Sequence, residues 1–472
     1  MADLLGTSRR TRHAVVIGGS MAGLLAARVL AEHAERVTVV ERDRFPEEPA
    51  PRPGVPQGRH THVLLEGGQL ALDQLLPGAV EELRAQGAPV VGMPEDIVQW
   101  QGGRWFRRTT TTSPLFTGAR PRLEQLVRRR VLADPRIRTV EGNEVVGLLG
   151  DATRVRGVLL RERGTGKEKE TRPLEADLVV DASGRGTRAP EWLTGLGAEP
   201  PHEETIETGL AYATRMYRDG RYGGGADCLG YFIIPNPAQT YGGVAMPIED
   251  GLHLVTLSGL RGDEPPTDDD AFEKFAERLP HPVLRDWLAR AEPVSGVHGF
   301  RRTGNVRRRY DGPGRRPAGF LATGDALCAF NPIYGQGMAV AAISAVALRD
   351  ALADTRRTPT TRRVQQALLK ASQQAWDISA GSDRAMPGAI GNALGTRAAD
   401  RPVSWYLKRV QERATGDPAV GAAFRSVLGL VNPPTVLFAP RIARAVLFAP
   451  APATPAGPPL RREADGDRAG AV

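Results

Sequence analysis

Residues 15–30, VVIGGSMAGLLAARVL, constrain the fold more strongly than any other stretch of the chain. A run of β-branched residues leads into a turn of small residues, and leucine and alanine then recur at helical spacing. The following segment, RVTVVERD, has the composition of a second buried strand. Because a strand, a helix and a parallel strand form one compact unit, the first 43 residues are predicted to form a β-α-β unit of the Rossmann type.

Small residues occupy the three positions of this turn that a dinucleotide site requires. Gly18, Ser20 and Gly23 permit a tight bend, a close approach of pyrophosphate to the backbone, and close packing of helix on strand. The pyrophosphate would lie at the helix N-terminus, where free N–H groups favour anions. Glu41 ends the second strand, where a carboxylate accepts hydrogen bonds from ribose hydroxyls and repels a 2′-phosphate. The pattern therefore predicts FAD or NAD rather than NADP.

Length and composition exclude several other classes of protein. A chain of 472 residues exceeds what one core usually supports, so two or three structural units are expected. The net charge of +8 comes from scattered arginines with no basic stripe interleaved with aromatics, which argues against a nucleic-acid partner. Cys228 and Cys328 lack the spacing of metal ligands, so neither a zinc site nor a disulfide framework is predicted. We find no signal peptide and no membrane-spanning run, and we expect a cytoplasmic protein of undetermined oligomeric state.

Two distant stretches favour FAD over NAD. They are ADLVVDASGRGTR at 176–188 and LATGDALCAFNPIYGQG at 321–337, and neither has a role in a simple NAD dehydrogenase. Together with the opening turn, they make the chain resemble the single-component (group A) FAD-dependent monooxygenases. Within this group, GVPQGRHTHVLLEGG, MPIEDGLHLVTLSG and GDALCAFNPIYGQGM are most similar to the polyene epoxidases of polyether biosynthesis, of the lasalocid and monensin epoxidase type. The resemblance extends to about residue 445.

The resemblance implies specific roles for residues of the cofactor site. Asp325 would face the ribityl or pyrophosphate part of FAD, and the turn at 335–337 would donate N–H groups to the flavin pyrimidine edge. ARPRLEQLVR matches the R-x-x-L-E helix start of the family, which implies that Arg120 lies near the diphosphate. The middle segment has Ser183 where the family has Asp, so the reductant stays open: NAD(P)H visiting transiently, or an external flavin reductase. The residues expected to hold the cofactor are Gly18, Gly19, Ser20, Met21, Ala22, Gly23, Glu41, Arg42, Arg59, Arg120, Val145, Asp325, Pro332, Gly335, Gly337 and Met338.

The chemistry that the resemblance implies is transfer of one oxygen atom from O2 through a C4a-hydroperoxyflavin. An epoxidase would act on an alkene of a hydrophobic, polyketide-like intermediate, as in antibiotic biosynthesis and other secondary metabolism. His60 and His62 form the one prominent titratable pair; they are candidates for hydrogen bonding or proton transfer near the flavin, with anchoring of the Pro-rich loop as the alternative. No metal site is predicted. The residues expected to contact substrate from the sheet are Tyr212, Phe232, Tyr241 and Met246, with Val244 as a further candidate.

The predicted fold class is α/β, with a discontinuous Rossmann-type FAD-binding domain, a substrate domain and a C-terminal helical region. Period-two alternation between residues 205 and 260 predicts that the substrate domain is built on an antiparallel sheet. An aromatic-ring hydroxylase of a polycyclic substrate and a non-redox FAD-containing cyclase or scaffold stay open. A flavin halogenase is disfavoured, because none of the six tryptophans begins a W-x-W-x-I-P segment. The predicted ranges are 1–75, 115–195 and 296–355 for the FAD-binding domain, 76–114 and 196–295 for the substrate domain, 356–449 for the helical region, and 450–472 for a disordered tail.

Overall fold

A computed structural model describes residues 11–164, 170–218, 227–395, 401–450 and 452–462. The strands are β1 (Thr11–Ile17), β2 (Ala34–Glu41), β3 (Val63–Leu64), β4 (Val90–Met93), β5 (Ile97–Gln101), β6 (Arg104–Trp105), β7 (Ser113–Thr117), β8 (Ile137–Glu141), β9 (Asn143–Gly150), β10 (Val155–Glu162), β11 (Thr171–Glu175), β12 (Leu178–Asp181), β13 (His202–Ile206), β14 (Ala211–Arg218), β15 (Gly230–Ile233), β16 (Tyr241–Pro247), β17 (Leu252–Gly259), β18 (Glu292–Pro293), β19 (His298–Phe300), β20 (Asn305–Arg309), β21 (Phe320–Ala322) and β22 (Cys328–Ala329). The α-helices are α1 (Met21–Leu30), α2 (Glu66–Leu75), α3 (Ala79–Ala85), α4 (Arg120–Leu132), α5 (Ala189–Gly195), α6 (Asp269–Phe275), α7 (Val283–Leu288), α8 (Gly337–Ala353), α9 (Thr361–Arg384), α10 (Arg401–Ala414), α11 (Pro418–Leu428) and α12 (Pro440–Phe448).

A five-stranded parallel sheet in the order β21–β12–β1–β2–β8 forms the centre of the molecule. Ala14, Val15 and Val16 in β1 are fully buried, because helices cover both faces of such a sheet. The helix α1 buries its leucine and alanine face against the sheet and against α8. The predicted order of strand, helix and strand at the start of the chain is therefore confirmed. This unit places the turn at 18–20 at the carboxyl edge of the sheet.

A second, eight-stranded sheet carries the strands that were predicted from period-two alternation. β14, β17, β16 and β15 are consecutive neighbours and pair antiparallel, and β5 and β6 extend the sheet beyond β15. One face packs on α6 and α7, where Trp287 is buried against Tyr217. The other face lies toward the α/β body and buries Met246 with Leu65 and Met93. The α/β class with an antiparallel sheet is thus confirmed.

Packing assigns several segments differently from the predicted domain ranges. Helix α3 buries Ala79 and Leu83 in the core of the parallel sheet, although residues 76–114 were expected in the substrate domain. Strand β13, also in a range expected in the substrate domain, pairs with β20 and buries Ile206 in the same core. Helix α9 buries Val364 and Leu368 in that core too, so it is part of the α/β body rather than of a separate helical region. A change in the spacing of apolar residues along the sequence marks where a helix or strand ends. Which core that helix or strand belongs to depends on where its apolar face packs in the folded chain.

The C-terminal part of the chain forms a small helical bundle. Helices α10, α11 and α12 pack around Tyr406, Val410 and Val446, and Phe106 from the sheet domain completes this core. None of the helices in the described ranges is long and apolar enough to cross a membrane. Both cysteine thiols of the chain are buried and unpaired.

Residues 452–462 correct the prediction of a disordered tail at 450–472. The guanidinium of Arg108, which is 1% exposed, donates to the carbonyl oxygen of Leu460 at 2.9 Å. The backbone N–H of Arg462 donates to Asp227 at 3.1 Å. A segment without apolar periodicity is therefore held through its backbone, which composition does not reveal. Residues 463–472 lie outside the described part of the chain.

Candidate cofactor and substrate site

The turns after β1, β12 and β21 meet at one edge of the parallel sheet. Gly18 has a φ of 99°, and a Cβ there would lie 2.6 Å from the carbonyl oxygen of Ala182 in the turn after β12. A Cβ on Gly324, after β21, would lie 2.5 Å from the Cβ of Ala22 at the start of α1. The three glycine-bearing stretches are therefore in contact, at the carboxyl ends of adjacent parallel strands, where open α/β sheets bind their ligands.

The start of α1 lies beside a half-buried arginine whose donors are incompletely used. Ser20 precedes the helix, donates through Oγ to Glu124 at 3.1 Å, and accepts from Nη2 of Arg120 at 3.1 Å. The Nε atom of Arg120 makes no hydrogen bond and lies 3.8 Å from the carboxylate of Glu124. Burial lowers the pKa of Arg120, although Glu124 and Asp325 raise it. A guanidinium with an unused donor beside free helix N–H groups fits the FAD diphosphate, which is predicted to bind here.

The turn that precedes α8 offers backbone donors in open space. Pro332 starts a short helical turn, and Gly335 closes it with a φ of 66°. A Cβ on Gly337, the first residue of α8, would meet no atom within 4 Å. The Oε1 atom of Gln336 is buried without a partner. The first N–H groups of a helix have no partner within the helix, so this end fits the predicted role toward the flavin pyrimidine edge.

Glu41 ends β2 as predicted, but protein donors already engage both of its carboxylate oxygens. Oε2 accepts from the N–H of Gly19 at 2.8 Å, and Oε1 accepts from the N–H of Asp43 at 3.0 Å. The buried guanidinium of Arg52 lies 3.0 Å from Glu41, 3.4 Å from Asp43 and 2.6 Å from Glu124. Glu41 thus fixes the shape of the turn, and its role toward ribose stays a prediction.

Sequence reasoning missed Arg52 and Glu124. Arg52 lies in the Pro-rich loop between two prolines, where no periodicity points to it. Glu124 lies one helical turn after Arg120, and the R-x-x-L-E pattern that singled out Arg120 contains it. The motif could therefore have identified Glu124, whereas only the folded loop reveals Arg52.

The other residues expected around FAD lie in varied surroundings. Arg42 is exposed and donates to the carbonyl oxygen of Gly54 at 3.3 Å. Val145 lies half-buried on β9 and packs against the core of the parallel sheet. Met338 is buried within α8, and Arg59 lines a cavity at the second sheet. The cofactor roles of these four residues stay predictions.

His60 and His62 are both brought to the junction between the two sheets. His60 is buried, and its Nδ1 lies 2.8 Å from Oγ1 of Thr214 on β14. Nδ1 of His62 lies 2.8 Å from the carbonyl oxygen of His60, and Nη1 of Arg120 lies 3.4 Å from Nε2 of His62. Burial lowers the pKa of His60 to about 4 and, with Arg120 beside it, that of His62 to about 3. Both rings are therefore neutral at neutral pH.

Strand alternation separates the residues predicted to contact substrate. Phe232, Val244 and Met246 pack on the face toward the α/β body, and Tyr212 stacks on Phe300 with its ring 4.8 Å from that of His60. Tyr241 instead packs with the core on the opposite face, where Arg278 lies 4.7 Å from its ring. The expectation for Tyr241 is therefore wrong, because successive side chains in β16 point to opposite faces.

A cavity of about 290 Å³ lies between the second sheet and the Pro-rich loop. Its floor is apolar, and Thr214 leads from it to His60. Thr214 and Met216 lie on the same face of β14 as Tyr212, and Leu254 on β17 pairs with Met246, so the cavity lies further along the sheet face on which Tyr212 and Met246 were predicted. The residues that line it are Pro49, Pro51, Gly58, Arg59, Ala119, Pro121, Arg122, Thr214, Met216, Ile248, Glu249, Asp250, Leu252, Leu254, Ser295 and His298.

A buried polar cluster beneath the turn at 332–337 was not predicted. The carboxylate of Asp383 in α9 accepts from Asn305 at 2.7 Å, from Asn331 at 2.9 Å and from the hydroxyl of Tyr334 at 2.7 Å. The carboxylate is 2% exposed, and burial raises its pKa. Asp383 therefore ties the turn to α9.

Residues 11–380 match the family of the FAD binding domain. The chain therefore belongs to this family, and FAD is the cofactor that its fold is built to hold. The fold is that of FAD-dependent monooxygenases and halogenases.

One protein of related sequence and two solved structures illustrate what the chain is similar to. Protein Rv3254 from Mycobacterium tuberculosis strain H37Rv is 38% identical over 350 residues, which cover 72% of this chain and 73% of the relative. The p-nitrophenol 4-monooxygenase PnpA from Pseudomonas putida DLL-E4 superposes with a TM-score of 0.62 at 17% identity, over 89% of this chain and 98% of that one. The flavin-dependent brominase Bmp2 superposes with a TM-score of 0.62 at 16% identity, over 88% of this chain and 93% of that one. At these identities the two structures share the fold alone.

Proposed function

We propose that the protein is an FAD-dependent monooxygenase that epoxidises an alkene of a hydrophobic, polyketide-like intermediate. The observation that carries the proposal is the meeting of three glycine-bearing turns, with an apolar-floored cavity at the second sheet whose lining residues Ala119 and Pro121 flank Arg120. The sequence resemblance to polyene epoxidases supports the alkene as the reacting group.

The residues of the chain would bind and orient the reactants. Arg120, Ser20 and the start of α1 hold the diphosphate, and the start of α8 holds the pyrimidine edge, where a helix N-terminus stabilises negative charge. Bound FAD supplies the redox chemistry, in which NAD(P)H and O2 convert the alkene into an epoxide, NAD(P)+ and water, with one proton consumed. His60 and His62 are neutral, so they act as hydrogen-bonding groups that hold the end of the Pro-rich loop against β14 of the second sheet.

The lining of the cavity suits an alkene. Asp250 pairs with Arg122, and Glu249 accepts from the N–H of Ala119 at 2.9 Å, so both carboxylates that line the cavity are engaged. His298 also lines the cavity, and burial lowers its pKa, so its neutral ring is a base that hydroxylation of a phenol would use. An alkene needs no base, and the apolar floor suits it.

Isotope labelling tests the proposal. Purified protein loaded with FAD is incubated with NADH or NADPH, with and without a flavin reductase, and with methyl parinarate, a conjugated tetraene ester. Under isotope-labelled dioxygen we expect a product that gains one labelled oxygen atom and loses one double bond. A phenol such as 1-naphthol as the only substrate accepted would establish aromatic hydroxylation, and a brominated product in the presence of bromide would establish halogenation. Product formed without O2 or reductant would establish a non-redox role.

Two neighbouring arginines provide a matched test of the cofactor site. Arg120→Gln removes the guanidinium with the unpartnered Nε, so the dissociation constant for FAD is expected to rise by about tenfold or more. Arg122→Gln changes a half-buried arginine two residues away, which pairs with Asp250, and is expected to leave that constant within about twofold. Titration of apoprotein with FAD by flavin fluorescence measures both. Equal constants for the two variants would remove Arg120 from the site.

A further inference from the structure

One cation remains uncompensated around the cavity. The guanidinium of Arg122 pairs with Asp250, and Glu249 is bound by a backbone N–H at the start of α4, where the helix dipole stabilises its charge. Arg59 also lines the cavity, but in the described part of the chain it pairs with no carboxylate. Both carboxylates of the lining thus have partners other than Arg59, and its guanidinium is available to an anionic group of a ligand.

The backbone of Arg59 is held firmly although its side chain is exposed. Residues 56–59 form a single helical turn, closed by hydrogen bonds from Gly58 to Val55 at 2.9 Å and from His60 to Gln57 at 3.1 Å. Gly58 and His60, on either side, are buried. A charged group on a fixed backbone loses less freedom when it binds a partner than one on a mobile loop does.

The rest of the cavity is suited to an apolar body. Met216 and Leu254 face each other across β14 and β17, and Ile248 and Leu252 extend the same surface. Pro49, Pro51 and Pro121 line the cavity as well. A ligand of matching chemistry therefore has an apolar chain or ring system and one anionic group.

We propose that this cavity binds an amphiphilic carboxylate and that Arg59 receives its acid group, while the apolar part lies on Met216 and Leu254. The inference rests on the proposed function, because it narrows the class of the substrate. It assigns Arg59 to the substrate rather than to the cofactor. A guanidinium binds a carboxylate through two parallel hydrogen bonds, which fixes the end of the ligand as well as attracting it.

A matched pair of ligands tests the inference by binding alone. trans-Parinaric acid and its methyl ester share one fluorescent tetraene and differ only in the charge of the head group. Their dissociation constants are measured with oxidised, FAD-loaded protein in the absence of reductant. We expect Arg59→Gln to raise the constant for the acid by about tenfold and that for the ester by less than about twofold. An unchanged constant for the acid, or equal losses for acid and ester, would overturn the proposal.

Three further measurements separate the charge of Arg59 from other effects. Arg59→Lys keeps the charge but not the two parallel hydrogen bonds, so it is expected to recover part of the affinity for the acid; no recovery at all would overturn a charge-based role. Arg285→Gln, at an exposed arginine of α7 whose ion-pair partner is its neighbour Asp286, controls for the loss of one positive charge and is expected to change neither constant. If Arg59→Gln raises only the KM for NAD(P)H, the residue binds a phosphate of the reductant and the proposal is wrong. Because these dissociation constants are measured without turnover, the test of Arg59 gives a result whether or not the protein is an epoxidase.

Discussion

Arg52 sets the charge balance at the cofactor end of the molecule. Its guanidinium is buried among three carboxylates, of which Glu124 and Glu41 raise its pKa, and it also donates to the carbonyl oxygen of Gly19 at 3.2 Å. Without this cation, Glu41, Asp43 and Glu124 would repel one another and the FAD diphosphate. The Pro-rich loop is therefore a structural part of the dinucleotide site, and Arg52 holds it there together with Asp43, Gln125 and Arg128.

His60 gives a prediction for stability at acidic pH. Its pKa is about 4 in the folded protein, whereas a histidine in the unfolded chain titrates near 6.5. Between these two pH values the unfolded chain binds more protons, so the free energy of unfolding decreases as the pH falls from about 6.5 toward 4, by up to about 3 kcal/mol from this group. We expect His60→Asn, which retains a polar atom toward Thr214, to be less stable than the unaltered protein at pH 7 but to lose less stability on acidification.

Urea unfolding across this pH range measures the effect. The matched control for loss of a histidine is His202→Asn, at an exposed position on β13. If His60→Asn shows the same dependence on pH as the unaltered protein, His60 does not resist protonation in the folded state.

Among the elements, α9 has two roles that its sequence does not separate. Its apolar face packs into the core of the parallel sheet, as its helical spacing predicts. Near its C-terminal end, Asp383 accepts hydrogen bonds from Asn305 on β20 and from Asn331 and Tyr334 in the turn that leads into α8. A buried carboxylate that accepts three hydrogen bonds is stable only while all its donors are in place, so the turn and the helix are held as one unit.

Asp383→Asn is expected to loosen this turn. The amide would direct an N–H group toward donors that need an acceptor, so we expect a loss of about 2–4 kcal/mol in stability and weaker binding of FAD. Asp377→Asn, on the exposed side of the same helix, is the matched control and is expected to stay within about 0.5 kcal/mol. Thermal unfolding of the apoprotein and titration with FAD measure the two effects. Normal affinity for FAD in Asp383→Asn would limit the residue to a role in stability.

The helices and strands that the sequence predicts are those whose apolar residues recur at a regular local spacing. The strand–helix–strand start and the strands β14–β17 follow from spacing within a few residues, and so does α8. The pairing of β5 with β15 joins residues about 130 positions apart, and no local pattern signals it. Register is equally hidden: one residue of slip decides whether Tyr241 or Val244 faces the α/β body, and hence which residues line the cavity. Arg52, Asp383 and the ordered tail are held by polar contacts, which leave no periodicity.

At the scale of the whole molecule, the segment at 452–462 packs beside the eight-stranded sheet. Arg413 in α10 donates to the carbonyl oxygens of Ala449 and Pro450, which directs the chain out of the helical bundle. Arg108 then binds the carbonyl oxygen of Leu460, and Arg462 pairs with Glu95 at 3.1 Å and Asp96 at 2.8 Å. The chain that leaves the helical bundle is thus held at Ala449 and Pro450 by Arg413, and at residues 460–462 by contacts with Arg108, Glu95 and Asp96.

A double-mutant cycle tests whether Arg108 holds this connection. A chain that ends at Pro450 is expected to have a lower Tm than the full chain, and so is Arg108→Gln, because the buried guanidinium and the tail carbonyls bind each other. If they share these contacts, the double variant loses less free energy of unfolding than the sum of the two single losses, by about 1–3 kcal/mol. Arg104→Gln, at an exposed position on the neighbouring strand β6, is the control and is expected to add to the truncation without coupling. Additive losses for Arg108→Gln and the truncation would mean that the tail is stabilised by contacts other than those with Arg108.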